Sequence, residues 1–113
     1  PPSSFDIVRL FLLQNRFDVV LAEYGTAASF IAPVCKSARI PLVAHFHGFD
    51  ASRTRITTEF ASGYKNMFDY ASSVISVSAP MSKALEGLGC DPEKIRMNPY
   101  GPDHKFFDIK LSH

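Results

Sequence analysis

The chain has 113 residues, the size of one modest domain or of part of a larger one. Hydrophobic residues make up 46% of the sequence and charged residues 20%, which excludes a disordered, collagen-like or low-complexity chain. Twelve Lys and Arg residues against eleven Asp and Glu residues give a net charge of +1, so charge gives no support for nucleic-acid binding and we expect no such partner.

The first half of the chain alternates helix and strand patterns. Apolar residues at helical spacing predict a first helix, capped by one of the serines at residues 3–4. Residues 17–22 form a short apolar run that is typical of a buried parallel strand. A second helix is predicted over residues 26–38, where Pro33 indicates a kink or a late start. Residues 40–47 predict the second strand.

The second half continues the alternation. Residues 53–70 keep helical spacing and predict the longest helix, in which Gly63 indicates close packing against the sheet. Residues 73–78 predict a third strand, and Ser78 caps a helix that ends before Gly89. A short fourth strand is predicted over residues 95–98.

Four strands separated by helices predict a parallel sheet with right-handed crossovers. The predicted fold class is therefore α/β, a Rossmann-like sheet of about four strands with flanking helices, in a single partial domain over residues 1–113. Ligands of such sheets bind beyond the carboxyl ends of the strands. The candidate site thus comprises four segments: residues 23–25, 45–50, 78–79 and 98–103.

The segment from His45 to Asp50 holds the densest group of chemically active side chains. One hypothesis is a zinc or iron site, in which His45 and His47 point the same way from a strand and Asp50 adds a carboxylate. A second is that His47 exchanges a hydrogen bond with a sugar hydroxyl or a phosphate oxygen, while Gly48 lets the ligand approach the backbone. A third is that both histidines are ordinary hydrogen-bonded residues of the fold.

Other polar groups lie at the same predicted edge. Glu23 and Tyr24 offer a carboxylate and a phenol above the first strand, and the rigid loop over residues 98–103 could present backbone N–H groups to an anion. Three basic residues lie on or near the longest predicted helix: Arg53, Arg55 and Lys65. They form either a solvated face or a surface for anionic lipid or phosphate.

Five segments in a fixed order carry a family resemblance. They are residues 17–25, 40–50, 71–78, 88–95 and 98–103. Together they resemble the second half of the N-terminal domain of a retaining glycosyltransferase of family 4, with the GT-B fold, of the kind that builds bacterial polysaccharides. The likeness covers roughly residues 17–107.

The resemblance implies a role for individual residues. His47, in the motif that reads Phe-His-Gly-Phe-Asp here, would lie near the donor sugar and act as the catalytic residue. Glu23, Tyr24 and Gly48 are candidate substrate-binding residues because of their position at the predicted strand ends, and the resemblance adds Asp50, Gly101 and Asp103. The last two match a family loop near the interdomain cleft, although Tyr100 and Pro102 depart from its common pattern.

The resemblance also implies partners. The N-terminal domain of the family binds a glycan or lipid-linked acceptor, and a C-terminal domain binds the nucleotide-sugar donor. The sequence opens on Pro1 without a methionine, which predicts that it starts part-way through a protein, and the donor domain would follow residue 108. We therefore expect no transfer by this chain alone, and no metal or other cofactor. The alternatives are a non-catalytic Rossmann-like binding module and one subunit of a split transferase.

Location and assembly follow from simpler features. No apolar run approaches the roughly 18 residues needed to span a bilayer, and no signal peptide is present, so we expect a cytoplasmic protein or one at the inner face of the membrane. Cys35 and Cys90 are too few for a disulfide framework, and we expect both thiols to be free. The strand near residues 19–22 would have an exposed apolar edge, which predicts self-association.

Overall fold

The computed structural model describes residues 3–99 of the chain. Within them, helices and strands follow one another in this order: α1 Ser4–Asn15, β1 Val20–Glu23, α2 Gly25–Ala38, β2 Leu42–His45, α3 Phe49–Ser52, α4 Thr54–Glu59, α5 Ala61–Tyr70, β3 Ser73–Ser76, α6 Ala79–Gly87 and β4 Ile95–Met97, the last preceded by a 3₁₀ turn over Pro92–Lys94. Ser3 caps α1 and Ser78 caps α6, each with its side chain accepting from a backbone N–H, as expected.

The four strands form one parallel sheet in the order β1-β2-β3-β4. The predicted α/β class and the four-stranded sheet are therefore confirmed. Glu23, the last residue of β1, lies opposite His45, the last residue of β2. The carboxyl ends of these two neighbouring strands thus meet at one edge, which brings their final side chains together.

A cluster of buried aromatic and apolar side chains supports that edge. Phe46, directly after β2, is fully buried and meets the Tyr64 ring edge-on, with ring centroids 5.3 Å apart. The Phe68 ring lies 5.9 Å from both the Phe46 ring and the Tyr64 ring, so the three rings contact one another. Each fully buried side chain of this size stabilises the fold by about 1.5–3 kcal/mol. The backbone that carries the candidate site therefore rests on a firm apolar base.

The prediction of one long helix over residues 53–70 is wrong, because these residues form two helices, α4 and α5, separated at Phe60. Arg53, between α3 and α4, has an extended backbone with ψ of 116°, and Phe60, between α4 and α5, has ψ of 10°. The β-branched run over residues 56–58 favours the helix only weakly. Gly63 faces Ser29 of α2 rather than the sheet, because α5 packs on α2.

α2 also differs from the prediction. It begins at Gly25 and continues through Pro33 to Ala38, so the late start is wrong. Pro33 lies on the exposed side of the helix, where the absence of its N–H removes one helical hydrogen bond without clashing with the core. Because α2 begins at Gly25, its first turn lies next to the candidate site.

The two cysteines are both buried and unpaired, as expected for free thiols. Burial raises the pKa of Cys35 and that of Cys90, each to about 11. At neutral pH these thiols are protonated and act as small apolar side chains of the core.

One side of the sheet ends at β1, and within residues 3–99 no further strand pairs with its outer edge. Five large apolar side chains of α1 are also well exposed: Phe5, Ile7, Leu10, Phe11 and Leu13. None of the helices described here is both long and apolar enough to cross a membrane.

A buried carboxylate joins the loop after β1 to the loop after β2. Asp50 is 0% exposed, and its Oδ2 accepts a hydrogen bond of 2.8 Å from the backbone N–H of Gly25. Its Oδ1 accepts from the N–H groups of His47 (3.0 Å) and Gly48 (2.9 Å). The hydroxyl of Tyr64 donates to the Asp50 carbonyl at 2.7 Å, and burial together with the Asp50 charge raises the pKa of Tyr64. Asp50 therefore sets the relative position of both loops.

We predict that Asp50→Asn destabilises the chain, because the amide group would turn N–H donors toward backbone N–H donors that lose their acceptor. The expected loss is about 1–3 kcal/mol in the free energy of unfolding, measured by urea denaturation. Asp18→Asn, at an exposed position, is the matched control and should change little. Equal stability of the two variants would contradict the role given to Asp50.

We also predict that Gly25→Ala destabilises the chain. A Cβ at this position would overlap the ring of the fully buried Phe46, which has no space to move. Overpacking of this kind costs about 1–3 kcal/mol. Gly87→Ala is the matched control, since its Cβ meets nothing within 4 Å and lies on helix α6. It should stabilise by about 0.5–1 kcal/mol in the same urea experiment, and a similar effect of both substitutions would refute the packing argument.

Candidate functional site

Three titratable side chains meet at the carboxyl edge of β1 and β2. One carboxylate oxygen, Oε2 of Glu23, lies 3.1 Å from Nδ1 of His45 and 2.6 Å from Nε2 of His47. The His45 side chain is 1% exposed, whereas those of Glu23 and His47 are 34% and 31% exposed. The group thus has a buried member and two members that a ligand can reach. We call it the Glu-His-His cluster.

The sequence places these residues together for simple reasons. His45 and Glu23 are paired across β1 and β2, and His47 follows His45 by two residues, the spacing that repeats one face of an extended chain. The two imidazole rings meet edge-on with centroids 4.1 Å apart. Sequence reasoning found both histidines and Glu23, but it did not predict that one carboxylate oxygen would contact both rings.

Tyr24 covers the exposed histidine. Its ring lies 4.2 Å from that of His47, with the planes tilted by 34°. Tyr24 has a φ of 76°, a left-handed conformation that is costly for a residue with a Cβ. Its N–H donates to the His45 carbonyl at 2.7 Å and its carbonyl accepts from Ala28 at 3.0 Å, which holds the strained backbone in place. The strain is therefore located beside the candidate site.

Gly48 and Asp50 differ in how far a ligand could reach them. Gly48 has a φ of 145°, which favours glycine, and an added Cβ there would meet nothing within 4 Å. A ligand could therefore approach its backbone. Asp50 is fully buried and its carboxylate accepts hydrogen bonds from backbone N–H groups, so it positions the loop. Gly101 and Asp103 lie outside the described residues.

The structure changes which side chains could hold a metal ion. The ligand atoms of Glu23, His45 and His47 all lie within 4.8 Å of one another, and two imidazoles with one carboxylate suit zinc or iron. Asp50, the third ligand considered in the sequence, is not part of the group, because both of its oxygens accept backbone hydrogen bonds. The contact of 2.6 Å between Oε2 of Glu23 and Nε2 of His47 is a short hydrogen bond to a carboxylate, which joins these two side chains without an ion.

The other candidate site residues do not form a single group in the structure. Three basic residues considered as a phosphate or lipid surface are exposed and are spread over two helices and the segment before them: Arg53, Arg55 and Lys65. Ser78 is the cap of α6, and its hydroxyl accepts from the Met81 N–H at 3.2 Å. Asn98, directly after β4, donates its N–H to the Ser76 carbonyl and so continues the sheet.

Comparison with known proteins agrees with this fold. A sequence model described as Glycosyltransferase Family 4 matches residues 1–106. WcaL of Salmonella typhimurium (strain LT2), which is named as a colanic acid biosynthesis glycosyltransferase, is 27% identical to this chain over 88 residues. The match covers 76% of this chain and 22% of WcaL.

Two solved structures share the fold. The crystal structure of HepE from Anabaena in complex with UDP-glucose has a TM-score of 0.69 at 23% identity, over 82% of this chain and 25% of HepE. The structure of UDP-N-acetylglucosamine 2-epimerase from Rickettsia bellii has a TM-score of 0.62 at 19% identity, over 82% of this chain and 24% of the epimerase. Since an epimerase and HepE share it, the fold alone does not define the reaction.

The chain therefore spans about a quarter of the length of the proteins that it resembles. The family assignment rests on sequence, because the family model covers nearly the whole chain and begins before the first predicted helix. The chain belongs to glycosyltransferase family 4.

Proposed function

We propose that this chain forms one wall of the active site of a glycosyltransferase, which moves a sugar from a nucleotide-sugar donor to a glycan or lipid-linked acceptor. The observation that carries the proposal is the Glu-His-His cluster at the carboxyl edge of a parallel sheet, in a member of this family. The names of its relatives support the proposal: HepE was crystallised with UDP-glucose, and WcaL is named for colanic acid biosynthesis.

In this proposal His47 contacts the donor sugar near the reacting carbon. Its ring is held from two sides, by the hydrogen bond to Glu23 and by the Tyr24 ring, so it is oriented before the substrate binds. Orientation of this kind lowers the barrier of a transfer reaction, because little freedom is lost when the transition state forms. Gly48 leaves its backbone accessible to the sugar, and Asp50 holds the loop that carries both residues.

One wall is not sufficient for transfer. The groups brought together in the cluster are one carboxylate and two imidazoles, and these do not neutralise the diphosphate of a nucleotide sugar. We infer that cationic groups for the diphosphate come from another part of the protein. We propose that a second domain supplies them. We place the protein on the cytoplasmic side, in solution or at the inner membrane face, which agrees with its free thiols.

The test compares the purified 113-residue chain with the gene product that contains it, using radiolabelled nucleotide sugars and product analysis. We expect no turnover by the chain alone and transfer by a longer product. His47→Ala should lower kcat/KM of that product about 10- to 100-fold, the size expected for one lost hydrogen bond in the transition state. Lys83→Ala, exposed on α6, is the control and should have no effect. Transfer by the isolated chain, or full activity of His47→Ala, would refute the proposal.

We also propose that the isolated chain self-associates through the outer edge of β1 and the apolar side of α1. Within residues 3–99 the outer edge of β1 has no partner strand, and five apolar side chains of α1 are exposed; features of both kinds recruit another chain. Light scattering over increasing concentration should show a monomer–dimer equilibrium. Leu10→Lys on α1 should shift it toward monomer, whereas Phe30→Lys, 71% exposed on α2, should not. A monomer at all concentrations would contradict this proposal.

A further inference from the structure

The Glu-His-His cluster contains an asymmetry in its hydrogen bonds. Oε2 of Glu23 contacts both rings, whereas Oε1 of Glu23 and Nε2 of His45 are buried without a hydrogen-bond partner among residues 3–99. An ionised carboxylate oxygen carries no hydrogen, so both contacts to Oε2 require an N–H on the ring. Nδ1 of His45 and Nε2 of His47 must therefore be the protonated nitrogens.

The unpartnered nitrogen of His45 defines the charge of that ring. If His45 were an imidazolium, Nε2 would carry an N–H with no acceptor in a side chain that is only 1% exposed. A buried charged donor without an acceptor is costly. In the neutral ring protonated at Nδ1, Nε2 is a bare acceptor, which fits its surroundings. Free imidazole in histidine favours the opposite form, with the proton on Nε2, so the contact with Glu23 reverses an intrinsic preference.

The same oxygen gives His47 the opposite form. Its N–H at Nε2 donates to Glu23 at 2.6 Å, and in the neutral ring Nδ1 is left as an acceptor. Tyr24 lies against this ring at a centroid distance of 4.2 Å and opposes its rotation. A ligand at Nδ1 must then bring a hydrogen-bond donor. A sugar hydroxyl has one, and an ionised phosphate oxygen does not.

We propose that Glu23 is a positioning residue that holds His45 and His47 in opposite neutral tautomers, so that Nδ1 of His47 accepts a hydrogen bond from a sugar hydroxyl. The identity of the ligand rests on the proposed function, whereas the tautomers do not. The carboxylate acts through the rings and does not itself touch the sugar. The site selects a hydroxyl-bearing sugar because Glu23 accepts the hydrogen bond from Nε2–H of His47 and so leaves Nδ1 as the acceptor.

The first experiment measures the tautomers directly. The ¹⁵N-labelled 113-residue chain, treated with a chelator because the same three groups could hold a metal, is studied at pH 8 by long-range ¹H–¹⁵N correlation NMR, which distinguishes protonated from bare ring nitrogens. We expect His45 to carry its proton on Nδ1 and His47 on Nε2. A proton on Nε2 of His45, a proton on Nδ1 of His47, or an imidazolium at either ring would overturn the proposal.

Variants separate positioning from a purely structural role. Glu23→Ala removes both acceptor oxygens, so His45 should return to the Nε2 tautomer that free imidazole favours. Glu23→Gln keeps one acceptor oxygen of the same reach and should retain the Nδ1 tautomer of His45. Glu59→Gln, exposed on α4, is the matched control and should leave both rings unchanged. An unchanged His45 in a folded Glu23→Ala variant would overturn the proposal. If Glu23→Ala does not fold, the spectra of the wild type and of Glu23→Gln still test the tautomer assignment.

A second experiment tests the hydroxyl. In the transferring gene product, Glu23→Ala should lower kcat/KM for the natural donor about 10- to 100-fold, and Glu23→Gln should recover part of the loss. With a series of deoxy donors, one member should lose its sensitivity to Glu23→Ala, because the hydroxyl that His47 accepts from is gone. Equal sensitivity across the whole series would refute the hydroxyl assignment while leaving the tautomers intact. Absence of transfer refutes the proposed function and leaves the NMR result unaffected.

Discussion

The buried carboxylate of Asp50 is the constraint on which the candidate site depends. A carboxylate that is 0% exposed is stable only when its charge is met by donors, and here three backbone N–H groups supply them. Two of these donors belong to the loop after β2 and one belongs to the first turn of α2. A single side chain therefore converts two separate strand ends into one rigid edge, and it does so without occupying space in front of the site.

The neighbouring features follow from that edge. Because the Gly25 N–H must reach Asp50, α2 begins directly after β1, and the turn between them is compressed into Tyr24 with its φ of 76°. The same closeness places the Gly25 backbone against the Phe46 ring, so only glycine fits. The strain at Tyr24 is offset by the hydrogen bonds of its backbone N–H and carbonyl groups. Backbone strain, a required glycine and the exposed histidine thus have one common origin.

The sequence predicted the parts of this protein that depend on local patterns. Short apolar runs separated by helical periodicity were enough for the parallel sheet, and the strand ends were enough to select Glu23, His45 and His47. The break between α4 and α5 was not predictable in this way, since apolar spacing continues across Phe60 while the regular helix does not. The position of Asp50 was also missed, because burial of its carboxylate depends on a glycine 25 residues earlier in the chain.

The two carboxylates at this edge differ in how fully their oxygens are hydrogen-bonded. Asp50 uses both carboxylate oxygens within the fold, whereas Glu23 leaves Oε1, and His45 leaves Nε2, without a partner in the described part of the chain. Folding alone would favour full satisfaction of buried groups, and sites that depart from it tend to serve a ligand or a neighbouring domain. The two carboxylates at this edge thus have different roles: Asp50 fixes the backbone, and Glu23 keeps an unused hydrogen-bond acceptor beside the imidazoles.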